Sequence, residues 1–132
     1  LTPETQRKWG KMSVDQVLAH LNVEYDLTFT PEKFPKPSFI AKFLLSRFVK
    51  PKITNEIPYK PSLPTSPVFI IADERNFEEE KAKLIGNIQR VQQLGRKAFE
   101  GKENINFGKM TAQGWNNMFA KHLNHHLEQF GV

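Results

Sequence analysis

Cysteine is absent from this chain, and with it go disulfide bracing, thiolate metal ligands and any protein-borne thiol nucleophile. Long apolar runs are absent too. No stretch approaches the roughly eighteen residues that a membrane-spanning helix needs, and no basic-then-apolar leader opens the sequence. The expectation is a soluble, cytoplasmic protein with no membrane partner. Internal repeats and low-complexity tracts are also missing. The chain opens on Leu1 rather than Met, which suggests an initiating segment ahead of it.

What the chain does have is aromatic and apolar. Its 132 residues are 39% hydrophobic and include eleven Phe and two Trp, enough for one domain over residues 1–132 with a packed interior and too little for two. Formal net charge is +5. The densest excess is Lys36, Lys42, Arg47, Lys50, Lys52 and Lys60 against Glu56 alone. A field of that sign can attract nucleic acid or an anionic substrate. No aromatic-and-Arg pattern of an RNA-binding motif accompanies it, so a solvated basic helix face is the plainer reading and nucleic acid is not an expected partner.

Ser13 followed by Gln16 forms a capping box, after which Val14, Val17, Leu18, Leu21 and Tyr25 recur at helical spacing. A first helix is therefore expected from about Ser13 to about Thr28. Pro31, Pro35 and Pro37 interrupt it, and Ser38 can cap a second helix carrying Phe39, Ile40, Phe43, Leu44 and Phe48, ended by Pro51. From Lys52 to Ala72 the prolines at Pro58, Pro61, Pro64 and Pro67 read as a long stiffened connection. Val68, Phe69, Ile70 and Ile71 could form a short strand but have no partner, and are expected to pack as an apolar anchor. Asn76 with Glu79 repeats the capping box ahead of a third helix closing near Gly101. Thr111 caps a fourth helix, in which Trp115, Met118, Phe119, His122, Leu123, His126 and Phe130 line one stripe. The fold class expected is all-α: a four-helix bundle with a long proline-rich connection between helices two and three, whose length suits an up-down-down-up order. An exposed apolar strip on helix two or three would suit a homodimer.

The chemistry lies in the histidines. Positions four apart on a helix sit about 40° apart on one face, so His122 and His126 point the same way. With His122 at zero, Trp115 falls at about 20°, His126 at about 40°, Phe119 at about 60° and His125 at about −60°. His122 and His126 are therefore the candidate ligands, and His125 lies on the edge. His20 flanks the stripe of the first helix. If the first and last helices are neighbours, three imidazoles can meet, and three nitrogens suit Zn²⁺, Ni²⁺ or a similar borderline cation with positions left open. The plainer alternative is that these are core histidines with satisfied hydrogen bonds. HxxxH alone is common, and the glutamate of HExxH is missing. Still, two adjacent buried imidazoles need partners or a cation to offset roughly 1–3 kcal/mol of desolvation each. Glu24 and Asp15 stand one turn to either side of His20, where a carboxylate could orient an imidazole or act as general base; a solvated helix-face charge is the plainer role for each. Trp9 and Trp115 read as core or rim packing.

Trp9-Gly10-Lys11-Met12-Ser13 leading to Ala19-His20-Leu21, and Phe107-Gly108-Lys109-Met110-Thr111 leading to Trp115 and to the run Lys121 to Gly131, resemble the DinB/YfiT-like metalloenzyme superfamily over nearly the whole chain. The resemblance implies an up-down-down-up bundle holding a divalent metal, zinc or nickel, on His20, His122 and His126. It also implies, for some members, thiol-dependent S-transferase chemistry with a low-molecular-weight thiol as cosubstrate, and homodimers. The reading is then a metal-dependent enzyme acting on a small molecule, with Glu24 as candidate base. The alternative is a non-catalytic accessory bundle whose histidines are structural.

Overall fold

A helix leaves its first amides without partners, and polar side chains at the helix starts of this chain supply acceptors there. In the computed structural model of the protein, which describes residues 1–63 and 66–132, helix α1 spans Val14–Phe29, with the Gln16 side chain accepting the Ser13 amide at 3.0 Å. Helix α2, Phe39–Leu44, begins where Ser38 Oγ accepts the Ala41 amide at 3.1 Å. Its extension, α3, is Lys50–Thr54. Helix α4, Phe77–Phe99, begins where Asn76 Oδ1 accepts the Glu79 amide at 3.1 Å. Helix α5, Ala112–Gln129, begins where Thr111 Oγ1 accepts the Gly114 amide at 3.0 Å. The protein is all-α in class. Among the described residues, no helix is long and apolar enough to cross a membrane.

Three expectations are corrected. Pro51 does not end the second helix: a π-helical turn, Leu45–Val49, closes with the Lys50 amide on the Leu45 carbonyl and passes the chain into α3. Proline lacks an amide and crowds the carbonyl four residues back, and the wider turn just before it relieves both demands. Val68 to Ile71 form no strand, in line with the lack of a partner, and Pro67–Phe69 is a 3-10 turn. Only part of that run is an anchor, since Val68 and Ile70 are exposed while Phe69 turns inward. Pro64, expected within this connection, lies outside the described residues. The third correction is a hairpin between α4 and α5, where β1 (Glu103–Asn104) pairs antiparallel with β2 (Gly108–Lys109). Asn104 Oδ1 closes its turn by accepting the amides of Asn106 and Phe107, and Gly108 takes the left-handed φ of +70° there.

Helix α1 packs along α4 and touches α5, α3 packs on α5, and the 3-10 turn lies against α1. Between α1, α4 and α5 sits the core of Val17, Leu18, Leu21, Tyr25, Leu84, Phe99, Trp115, Met118 and Phe119. Tyr25 stacks flat on Phe119 with ring centroids 4.9 Å apart. Trp115 leans against Phe99 and Phe119 and donates its indole N–H to the Lys102 carbonyl. Buried Asn22 ties α1 to α4 by donating to the Glu80 carbonyl and carboxylate while accepting from Asn87. Each amide group is satisfied, which is the condition for a buried polar contact to favour one register. The apolar stripe of α2, continued by Phe48 in the π-helical turn, does not join this core. Phe39, Ile40, Phe43, Leu44 and Phe48 all face solvent.

Candidate metal centre

Helix α1 contributes His20 and Glu24, one turn apart, and α5 contributes His122 and His126 by the same spacing. Because α1 and α5 touch, the two pairs face each other. One ring nitrogen from each of His20, His122 and His126 lies within 4.8 Å of the others. His20 and His126 are buried, and the His122 side chain is only 12% exposed.

The hydrogen bonds behind the rings decide which nitrogens are free. His20 Nδ1 is 2.8 Å from the Phe69 carbonyl oxygen, which can only accept, so Nδ1 carries the proton. His126 Nδ1 is 2.7 Å from Gln129 Oε1. Gln129 Nε2 donates to the Trp9 carbonyl at 2.8 Å, which fixes the amide and makes His126 Nδ1 a donor as well. His122 Nδ1 lies 3.0 Å from Glu24 Oε2. In all three rings Nδ1 is engaged from outside and Nε2 is left for the interior, as in metal sites whose ligand tautomers are set by outer oxygen partners.

His20 Nε2 and His122 Nε2 are 2.8 Å apart. If Glu24 is ionised, both carry lone pairs and face each other as two acceptors, an arrangement that a shared cation resolves. If Glu24 is protonated, its hydroxyl donates to His122 Nδ1 and His122 Nε2–H donates to His20, so one proton does the same work. In the metal-free protein burial favours the protonated state. Burial pushes the Glu24 carboxyl up to about 8, with His20 offsetting part of the effect. Burial and the neighbouring His122 push His20 down to about 4. His122 is pushed to about 4 by burial and by His125. His126 is pushed to about 3, again by burial first and His122 second. Near neutral pH the three imidazoles are therefore uncharged, the form that coordinates metal. Two nitrogens on one tetrahedral zinc lie roughly 3.4 Å apart. The triad's nitrogens are 2.8 Å apart for His20 and His122 and all within 4.8 Å of one another, a span that includes that value, and the donor set fits a borderline divalent cation.

Around the triad stand residues that sequence reasoning ranked lower or missed. The Phe69 ring packs against His20 and His122 at centroid distances of 5.3 Å and 5.7 Å. His125, half-buried, lies beside His126 and between the edges of Trp9 and Tyr59. Lys121 Nζ sits 4.5 Å over the Tyr59 ring. Asp15 is elsewhere, accepting the Arg75 amide at 2.8 Å, and Trp115 is a core residue. Glu24, the candidate base, faces the outer side of His122. Gln129 was the most legible of the missed residues, since it follows His126 by three positions and so shares its helix face.

Residues 1–131 match the family described as Protein of unknown function (DUF1569). The chain belongs to that family. No curated protein matches it at a significant level, and no solved structure does. The family description assigns no activity, so the chemistry must come from the geometry: three neutral, buried imidazoles that could hold a metal ion, each ring fixed by its own oxygen partner.

Proposed function

We propose that the chain is a metal-binding member of the DinB/YfiT-like superfamily, an up-down-down-up four-helix bundle in which His20, His122 and His126 hold one divalent ion, zinc or nickel, for chemistry on a small molecule. The observation that carries this reading is the outward engagement of every Nδ1, with one ring nitrogen from each histidine within 4.8 Å of the others; all three Nε2 atoms carry lone pairs once Glu24 is ionised. A divalent ion on three nitrogens supplies Lewis acidity and lowers the pKa of a water or a thiol. The chain's own residues do the rest. Phe69, Glu24 and Gln129 hold the imidazole tautomers, and the Phe69 ring limits water on the His20 and His122 side. Glu24 is the candidate base in its ionised form, which a divalent ion on the neighbouring His122 would favour against the burial that holds the carboxyl up at about 8. Absence of cysteine fits a thiol that arrives as a cosubstrate.

Metal analysis of protein purified without a histidine tag tests the reading. One ion per chain is expected, with loss in His126→Ala. The second reading, a non-catalytic accessory bundle with structural histidines, is favoured by one observation: the Glu24, His122, His20 chain can satisfy its own hydrogen bonds with a single proton. Equal and negligible metal in wild type and His126→Ala would select it.

A further inference from the structure

We infer that Gln129 is a positioning residue for His126, and that the Trp9-Gly10 step at the other end of the chain holds Gln129 in that role. The consequence for metal affinity rests on the reading above; the geometry does not.

The three ring partners differ in kind. The Phe69 carbonyl is an acceptor under any condition, and a carboxylate is one whenever it is ionised. A primary amide can present either its oxygen or its NH₂ to an imidazole, so by itself it leaves the His126 tautomer undecided. Gln129 is 3% exposed, and its Nε2 donates to the Trp9 carbonyl at 2.8 Å. That carbonyl cannot donate in return, so Oε1 must face His126 and His126 Nδ1 must carry the proton. The Lys8 amide, meanwhile, donates to the Gln129 backbone carbonyl at 2.7 Å. The chain before α1 is thus clasped to the end of α5 by both backbone and side chain.

Gly10 is what lets the two ends approach. It adopts a φ of +84°, and a Cβ built on it would run into Gln129 Nε2. Any side chain at position 10 displaces the amide that orients His126, and the left-handed backbone adds strain of its own. The Trp-Gly pair thereby acquires a physical role, because the carbonyl of one residue and the missing side chain of the other fix a histidine near the opposite end of the sequence.

Nitrogen-15 NMR of the imidazoles in metal-free protein, together with zinc competition against a chromophoric chelator, tests the inference. Wild type should show His126 as the Nδ1–H tautomer. Gln129→Leu should shift His126 towards a tautomer mixture and weaken zinc binding by roughly 10–100-fold, the usual cost of losing such a partner. Gln129→Glu keeps an acceptor for Nδ1–H but loses the donor to the Trp9 carbonyl, so it should retain the tautomer and recover part of the affinity, a rescue that a packing role alone would not produce. If Gln129→Leu does not fold, Gly10→Ala carries the test. It should weaken zinc in the wild-type background and add no further loss on top of Gln129→Ala, because the collision is then gone. Unchanged tautomer with zinc affinity within twofold in Gln129→Leu, or additive losses in the Gly10/Gln129 pair, overturns the inference. If wild type binds no zinc while Gln129→Leu still shifts the tautomer, the metal reading fails and the positioning role stands.

Discussion

Metal-stripped protein should lose stability as pH falls from 7 to 5, and the slope should depend on Glu24. His20 and His122 are held at about 4 and His126 at about 3, against 6.5 for free histidine. The unfolded chain therefore binds protons in this window that the native chain refuses. Stability from a depressed pKa is present above 6.5 and drains away as pH falls towards the native value, about 2 kcal/mol per histidine by pH 5. Glu24 acts in the opposite sense. Its native carboxyl sits at about 8 against 4.5 unfolded, so its contribution is complete below 4.5 and is lost as pH rises through 8. Moving from pH 7 to 5 it returns about 2.5 kcal/mol. The net expectation is a loss of about 3 kcal/mol, rising to about 5 to 6 kcal/mol in Glu24→Gln, which cannot titrate. Urea unfolding followed by tryptophan fluorescence, with chelator present, reads both values. Stability level to within about 1 kcal/mol across the window, or a Glu24→Gln slope no steeper than wild type, refutes the assignment of neutral buried imidazoles opposite a protonated carboxyl.

Two glycines of α4 should respond in opposite directions. Gly95 has φ 71° and ψ 179°, a conformation open to glycine alone, so Gly95→Ala should cost about 1–3 kcal/mol in thermal unfolding. Gly86, whose added Cβ would meet nothing within 4 Å, should gain about 0.5–1 kcal/mol on substitution by alanine. Lys121 Nζ donates to the Lys52 carbonyl at 2.6 Å and to Asn55 Oδ1 at 2.8 Å, tying α3 to α5, and Lys121→Met should cost about 1–3 kcal/mol in urea unfolding. Phe69→Ala keeps the carbonyl that holds His20 but removes the ring. Its cost should stay below the roughly 3–5 kcal/mol of a fully buried phenylalanine, and one-dimensional NMR should report faster solvent exchange of the His20 ring proton.

What could be read from the sequence was whatever depends on local spacing. Ser13 with Gln16, Asn76 with Glu79, and Thr111 each mark a helix start because a cap is a contact within one turn. His122 and His126 share a face by helical arithmetic alone. Pro51 reads as a helix end because proline is costly in a regular helix; nothing in Leu45 to Val49 announces the π turn that admits it. The hairpin between Gly101 and Thr111 is held by the Asn104 side chain and two ladder positions, too short for any alternation to register. Helix α2 shows that an apolar stripe identifies a helix without saying whether anything covers it.

Among the oxygen partners of the triad Glu24 is legible, one turn from His20, while the other two are not, for one physical reason. Phe69 reaches His20 through its backbone carbonyl, from the far end of a proline-rich connection; a carbonyl has no residue identity, so no residue pattern can announce it. Gln129 was within reach, three positions from His126, yet a glutamine is ambiguous until its second amide contact is known. That contact is again a main-chain carbonyl, at Trp9. Ligands can be guessed from side-chain type and spacing, whereas the tautomers of His20 and His126 depend on the Phe69 and Trp9 carbonyls, backbone atoms delivered by tertiary structure. A site of this kind therefore shows its donors in the sequence and its proton positions only in the fold. The substitutions that separate the two, Gln129→Leu and Gly10→Ala, leave every candidate donor in place.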